Sequence, residues 1–168
     1  HIDSDPSPRL RGEGRVRGRS GGEAIAEEVH PLAPLLTPRS IAFVGGRECE
    51  VAIVQTRALG FTGDMYAIHP KREMLSGVPC LRAVSDPPLP PDAPFIAVKR
   101  EPTIDAVREL RRLGAGGAVI YASGFAETGD RDLQDALLAA ANGMPLRGPS
   151  CYGFVNGLAR VALWPDEH

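Results

Sequence analysis

Cysteine, aromatic residues and net charge are all in short supply in this chain. Its three cysteines, Cys49, Cys80 and Cys151, are odd in number and far apart, so they make neither a disulfide framework nor a zinc spacing. Aromatic residues are 5% of the total, too few for a platform on which nucleic-acid bases stack. A formal net charge of −2 supplies no broad field for a nucleic acid or an anionic membrane surface. No apolar run reaches transmembrane length, and none has the form of a signal-peptide core. The expectation is a soluble, cytoplasmic protein in a reducing setting, without membrane or nucleic-acid partners. Its 168 residues suit one domain with a short extension.

Glycine and proline are plentiful, and their placement divides the chain. Residues 1–30 stand apart: Arg9 to Gly22 alternates arginine with glycine and has almost nothing to bury. That segment reads as a solvated tail, flexible or held by a partner, since no aromatic interrupts it as an RNA-binding tract would have. Glu23–Val29 is expected to form a short helix before Pro31. Residues 31–168 then form the domain.

From Ser40 onward short apolar strands alternate with helices. Strands are expected at Ile41–Val44, Met65–His69, Phe95–Val98, Ala118–Tyr121 and Met144–Arg147, with one more at Leu158–Leu163. A helix at Glu50–Leu59 stops at Gly60. A second, capped by Thr103, carries Ile104, Val107, Leu110 and Leu113 at helical spacing and ends at Gly114. A third, capped by Asp130, carries Leu133, Leu137, Leu138 and Ala141 and closes at Gly143. Residues 74–92 hold five prolines and read as irregular, with at most one helical turn at Arg82–Ser85. Helices between short apolar strands require right-handed crossovers. The fold class is therefore α/β: a Rossmann-like, doubly wound parallel sheet of about five strands with helices on both faces.

In such a sheet ligands lie beyond the carboxyl ends of the strands, so the loops there carry the chemistry. Gly45 and Gly46 follow the first strand and suit a phosphate turn, because a bare backbone can approach a pyrophosphate at the positive end of a helix. Arg47 can reach the same phosphate, whereas Glu48 and Glu50 oppose it. The dinucleotide fingerprint G-x-G-x-x-G is not met. At the end of the second strand a NAD site places an acidic residue for the ribose hydroxyls. Here the sequence is His69-Pro70-Lys71-Arg72, which repels nothing and attracts a phosphorylated ribose, as in coenzyme A or NADP. Ser123 and Cys151 are candidate nucleophiles, but neither has a histidine base in a suitable loop. His69 reads as structural.

Taken together these segments resemble a known family. Leu36-Thr37-Pro38-Arg39-Ser40-Ile41-Ala42-Phe43-Val44-Gly45 resembles the opening of the CoA-binding domain of NDP-forming (ADP-forming) acyl-CoA synthetases, which also opens the alpha subunit of succinyl-CoA synthetase. Gly60-Phe61-Thr62-Gly63 with Tyr66 and His69-Pro70-Lys71 is similar to the family's G-F-x-G…Y-x-V-N-P-K. Ala122-Ser123-Gly124-Phe125-Ala126-Glu127 with Gly129 is similar to S-S-G-F-x-E-x-G. Gly148-Pro149-Ser150-Cys151-Tyr152-Gly153 with Asn156 resembles G-P-N-C-x-G…N. Three departures stand out: a first loop lacking the family's G-A-S, Ser150 where asparagine is usual, and Lys99-Arg100-Glu101 where a valine-proline pair is usual.

The resemblance implies a CoA or acyl-CoA site at Gly45, Gly46, Arg47, Lys71, Val98, Lys99, Ser123, Gly124, Ser150 and Cys151, with no catalytic residue and no metal. It implies an acid–thiol ligase whose phosphohistidine segment and ATP-grasp domain, which handles ATP or ADP, lie outside this sequence. The expected partners are CoA, an ATP-grasp domain or subunit and a homodimer mate. The expected role in this chain is binding rather than catalysis. An NADP-dependent oxidoreductase and a nucleotide-sensing regulatory domain are the alternatives.

Overall fold

The computed structural model describes residues 30–129 and 131–166. The Arg/Gly tail, the helix expected at 23–29, the Asp130 cap and His168 lie outside the described residues.

After a short helix α1 (Ala33–Leu36), the chain runs β1 (Ser40–Gly45), α2 (Arg47–Ala58), β2 (Asp64–Ile68), β3 (Met74–Leu75), β4 (Val78–Leu81), β5 (Ala93–Ala97), α3 (Arg100–Leu113), β6 (Ala118–Ile120), α4 (Arg131–Ala141), β7 (Leu146–Arg147), β8 (Phe154–Asn156) and β9 (Val161–Leu163). The first seven strands form one sheet in the order β3-β4-β2-β1-β5-β6-β7. Every pairing is parallel except β3 with β4. The chain builds outward from β1 to β2 and β4, then returns to β5 and builds the other way. The switch point therefore falls between β1 and β5.

Strand alternation fills both faces. On β1, Ile41 and Phe43 join a core with Cys49, Ala52 and Ile53 of α2 and with Val161 and Leu163 of β9. Ala42 and Val44 point the opposite way, into a core with Ile104, Val107 and Leu110 of α3 and Leu137 and Ala140 of α4. Continuous apolar strands are what a sheet covered on both sides needs. Each large side chain fully buried here, Phe43, Phe95 or Ile41, contributes about 1.5–3 kcal/mol of transfer free energy. The doubly wound parallel sheet is the observed fold.

Several details differ from the sequence reading. The sheet has seven strands, because residues 74–81 form a β-hairpin rather than irregular chain. Its two-residue turn places Ser76 and Gly77 at φ 43° and 80°, the left-handed pair that matches strand twist in a tight hairpin. The prolines around it hide the strand pattern, and Pro79 sits opposite Met74 of the antiparallel partner. Helix α2 starts at Arg47 rather than Glu50. Helix α3 starts at Arg100, with Lys99 as its N-cap. Thr103 is therefore not a cap. It is fully buried inside the first turn, its hydroxyl donating to the Val98 carbonyl at 3.2 Å. Pro102 fits that turn because its missing N–H would be an orphan there. Strand β7 is two residues rather than four. The strand expected at Leu158–Leu163 begins at Val161 and pairs with β8 as a separate antiparallel hairpin, packed over α2 instead of extending the sheet.

Register sets the site. Val44 lies beside Ile68 on one side and Ile96 on the other, and Ile96 lies beside Ile120. The carboxyl ends of β2, β1, β5 and β6 are therefore level, and their loops open on one rim.

Candidate functional site

Two clefts share that rim. The first, of about 680 Å³, lies over the ends of β5 and β6. The second, of about 520 Å³, lies over the ends of β1, β2 and β4. Val98 and Lys99 line both, so the end of β5 is a common wall.

The second cleft is mostly apolar. Gly45 and Gly46 enter it with Val44, Ile68, Ala83 and Val84. Gly45 has φ 145°, and a Cβ there would fall 2.5 Å from the Ala97 carbonyl oxygen. Glycine is therefore required for β1 to lie against β5. At Gly46 a Cβ would meet nothing within 4 Å, so its bare backbone faces open space. No side chain caps α2, whose first-turn N–H groups follow directly. His69 closes the other side. Its Nδ1 accepts the backbone N–H groups of Lys71 and Arg72 at 3.1 and 3.0 Å, which leaves the proton of a neutral ring on Nε2. Arg72 is held by Glu50 at 2.8 Å. Arg82 donates to the Arg72 carbonyl at 2.9 Å. Among the described residues that line this cleft none is Asp or Glu.

The first cleft is built by side chains. The loop 148–153 is drawn onto the end of β6: the Ser150 N–H donates to the Ala122 carbonyl at 2.8 Å and the Cys151 N–H to the Ile120 carbonyl at 3.4 Å. Glu127 clamps it from the other side. One carboxylate oxygen accepts the Gly124 N–H at 2.6 Å and also the Ser150 hydroxyl. The Ser150 hydroxyl, with the backbone N–H donors of Glu127, Gly124 and Phe125, pulls the Glu127 carboxyl down to about 2. Ser150 sits at φ 54°, a left-handed position where asparagine is at home, which accounts for the family's usual residue there. The Gly153 N–H donates to the Cys151 sulfur at 3.3 Å. Burial, and the Glu48 carboxylate nearby, push the Tyr121 hydroxyl up from its ordinary range.

The residues singled out from the sequence distribute unevenly. Val98, Lys99, Ser123, Ser150 and Cys151 line the first cleft, and Gly45, Gly46, Val98 and Lys99 the second. Arg47 and Lys71 are exposed and line neither. Gly124 lies behind Ser123, its carbonyl accepting Arg100 Nη1 at 2.8 Å. Glu48, Arg100, Glu101 and Tyr152, which belong to the loops read from the sequence without being given a binding role, also line the first cleft, and the sequence reading missed Tyr121 there and Arg82, Ala83 and Val84 in the second. Tyr121 was findable, since it adjoins the Ala122-Ser123-Gly124 motif already recognised. Arg82–Val84 were not, because β4 was not seen. Among the described residues no group of His, Cys, Asp and Glu could hold a metal ion. No helix there is long and apolar enough to cross a membrane.

A model of a CoA-binding domain matches residues 39–157. The chain belongs to the CoA-binding domain family. Among curated relatives, a trans-feruloyl-CoA synthase (FCS1) from an unknown prokaryotic organism is 36% identical over 77% of this chain and 20% of its own length. An ADP-forming acetate–CoA ligase of Methanocaldococcus jannaschii is 29% identical over 71% of this chain and 18% of its own. The dinucleotide-forming acetyl-coenzyme A synthetase 1 of Ca. Korarchaeum cryptofilum superposes with a TM-score of 0.74 at 28% identity, covering 79% of this chain and 31% of that one. This CoA-binding domain thus spans about a fifth of the length of the curated relatives it matches.

The residues present suit such a ligand chemically. Open backbone at Gly46 and the N-terminus of α2 offer N–H donors to phosphate, and the apolar second cleft suits a purine ring. Bound there, CoA would supply a thiol, and the residues lining the two clefts would hold it.

Proposed function

We propose that this domain holds coenzyme A along the rim joining the two clefts and serves as the CoA-binding part of an ADP-forming acid–thiol ligase. The observation that carries the reading is the wall shared by the clefts at Val98 and Lys99. It makes one elongated site from an apolar end and a polar end, the shape of a nucleotide joined to a thin arm. The adenosine end lies by Gly45, Gly46 and His69, with Arg47 and Lys71 reaching phosphates from outside. The thiol lies by Ser123, Ser150 and Cys151 in the first cleft. Gly124 shapes that loop through its bonds to Glu127 and Arg100. In the full ligase an ATP-grasp domain or subunit, handling ATP and ADP, would deliver the activated acyl group to this thiol in the cytoplasm, and the assembly would include a homodimer.

Calorimetric titration with CoA, dephospho-CoA and NADPH tests the reading. CoA is expected to bind more tightly than either competitor. Lys71→Ala should narrow the gap between CoA and dephospho-CoA by up to about 1 kcal/mol, the scale of a solvent-exposed charge contact. If CoA gives no heat, or NADPH binds more tightly, the site is not a CoA site.

A further inference from the structure

The relatives are named for acyl groups of two kinds, the aromatic feruloyl group and acetate, and that division leaves the acyl class of this chain open. The first cleft carries a feature that bears on it. Aromatic residues are rare here, with three tyrosines and one tryptophan in the whole sequence. Two of those tyrosines and the tryptophan nevertheless stand in one file. The rings of Tyr121 and Tyr152 meet edge to face, 5.9 Å apart at 86°. Tyr152 and Trp164 are 5.6 Å apart at 34°. Behind Tyr121, at 6.4 Å, is the fully buried Phe95 of β5. The file thus starts in the core, passes along the cleft at Tyr121 and Tyr152, which line it, and ends behind Tyr152 at Trp164.

Tyr152 is 52% exposed. An exposed large ring is ordinary on a surface, but this one is held between two other rings and follows Cys151 directly. Its rotamer freedom is already restricted, so a ligand stacking on it gives up little further entropy. Aromatic pairs gain from offset or edge-on contact beyond the area they bury. The cleft is also lined by Glu48, Lys99, Arg100, Glu101, Ser123 and Ser150, which suit ring substituents that donate or accept hydrogen bonds.

We infer that the Tyr121–Tyr152 wall seats the ring of an aromatic acyl group carried on the sulfur of CoA. The inference rests on the reading of this cleft as the thiol end of the CoA site, and names the substrate class that the site accepts.

Titration of the intact chain with CoA, acetyl-CoA and benzoyl-CoA separates the two layers. Benzoyl-CoA is expected to bind about three- to tenfold more tightly than acetyl-CoA, the gain of one ring–ring contact. Tyr152→Leu, which keeps apolar bulk but removes the ring, should bring that ratio close to one, and Tyr152→Phe should retain it. The ratio within each variant is its own control for folding. Equal affinities of the unaltered chain for benzoyl-CoA and acetyl-CoA, with CoA binding intact, overturn the aromatic seat alone. A ratio unchanged in Tyr152→Leu also overturns it. If neither CoA nor a thioester binds, the CoA reading of the cleft falls and takes this inference with it.

Discussion

The turn after β1 and the loop after β7 serve the same rim, but only the second is clamped by a side chain. At Gly45–Gly46 nothing but backbone is offered: side chains are excluded at Gly45 by the Ala97 carbonyl, and Gly46 opens on empty space. At Gly148–Gly153 the backbone is packed as well, since a Cβ on Gly148 would fall 2.4 Å from the Ile120 carbonyl oxygen, but side chains add a clamp, with Glu127 holding Ser150 and Gly124, and Cys151 accepting the Gly153 N–H. The first is fixed by sheet packing and has no part that can be loosened separately. The second adds to its packed glycines the polar bonds of the Glu127 side chain, which can be removed without touching the sheet. A glycine packed against a carbonyl tolerates no added atom, whereas a side-chain clamp tolerates change in proportion to the bonds lost.

The sharpest way to break this contrast is at Gly45. Gly45→Ala forces a Cβ to 2.5 Å from the Ala97 carbonyl oxygen at a φ of 145°. It should destabilise the domain by about 2–4 kcal/mol, combining backbone strain and overpacking at the β1–β5 contact. Gly46→Ala, with open space around it, should leave the melting temperature nearly unchanged yet weaken CoA binding. Thermal melts of the two variants check the pair. Equal destabilisation would show that the turn is not fixed by the sheet at Gly45.

A smaller effect is expected at the clamp. Glu127→Gln removes the charge but keeps an acceptor, so amide exchange in 148–153 should accelerate while the core β1 and β5 amides stay protected. The pH dependence has a definite sign. The Glu127 carboxyl is drawn from 4.5 down to about 2, so its stabilisation is complete above the ordinary carboxylate value. It is lost as the pH falls from about 4.5 towards 2. The unaltered loop should loosen over that window. Glu127→Gln should be loose already at neutral pH and show no such step.

The same contrast explains what the sequence made legible. β1, β5, β6, α3 and the glycine stop at Gly114 are readable because apolar runs, helical spacing and a left-handed C-cap are local signals. The β3–β4 hairpin escaped because each strand is too short for a pattern and Pro79 interrupts it. Its Ser76-Gly77 turn was the available signal. At the site, motif residues such as Ser123, Ser150 and Cys151 were identified by resemblance, and they do share a cleft. The Glu127 clamp joins residues 23 positions apart. Arg82–Val84 reach the second cleft because β4 lies beside β2. Neither relation is local, so no spacing rule reveals it. Thr103 misled for a related reason: a threonine that looks like a cap in sequence spends its hydroxyl on Val98, one turn inside the helix.

The central claim is that one ligand spans both clefts. Amide hydrogen exchange of the intact chain, with and without saturating CoA, tests it most directly. The account predicts that CoA slows exchange both at Gly45–Arg47 and at Gly148–Gly153, with no comparable change in the β8–β9 hairpin. Protection confined to one of the two loops, or absent from both, would contradict it.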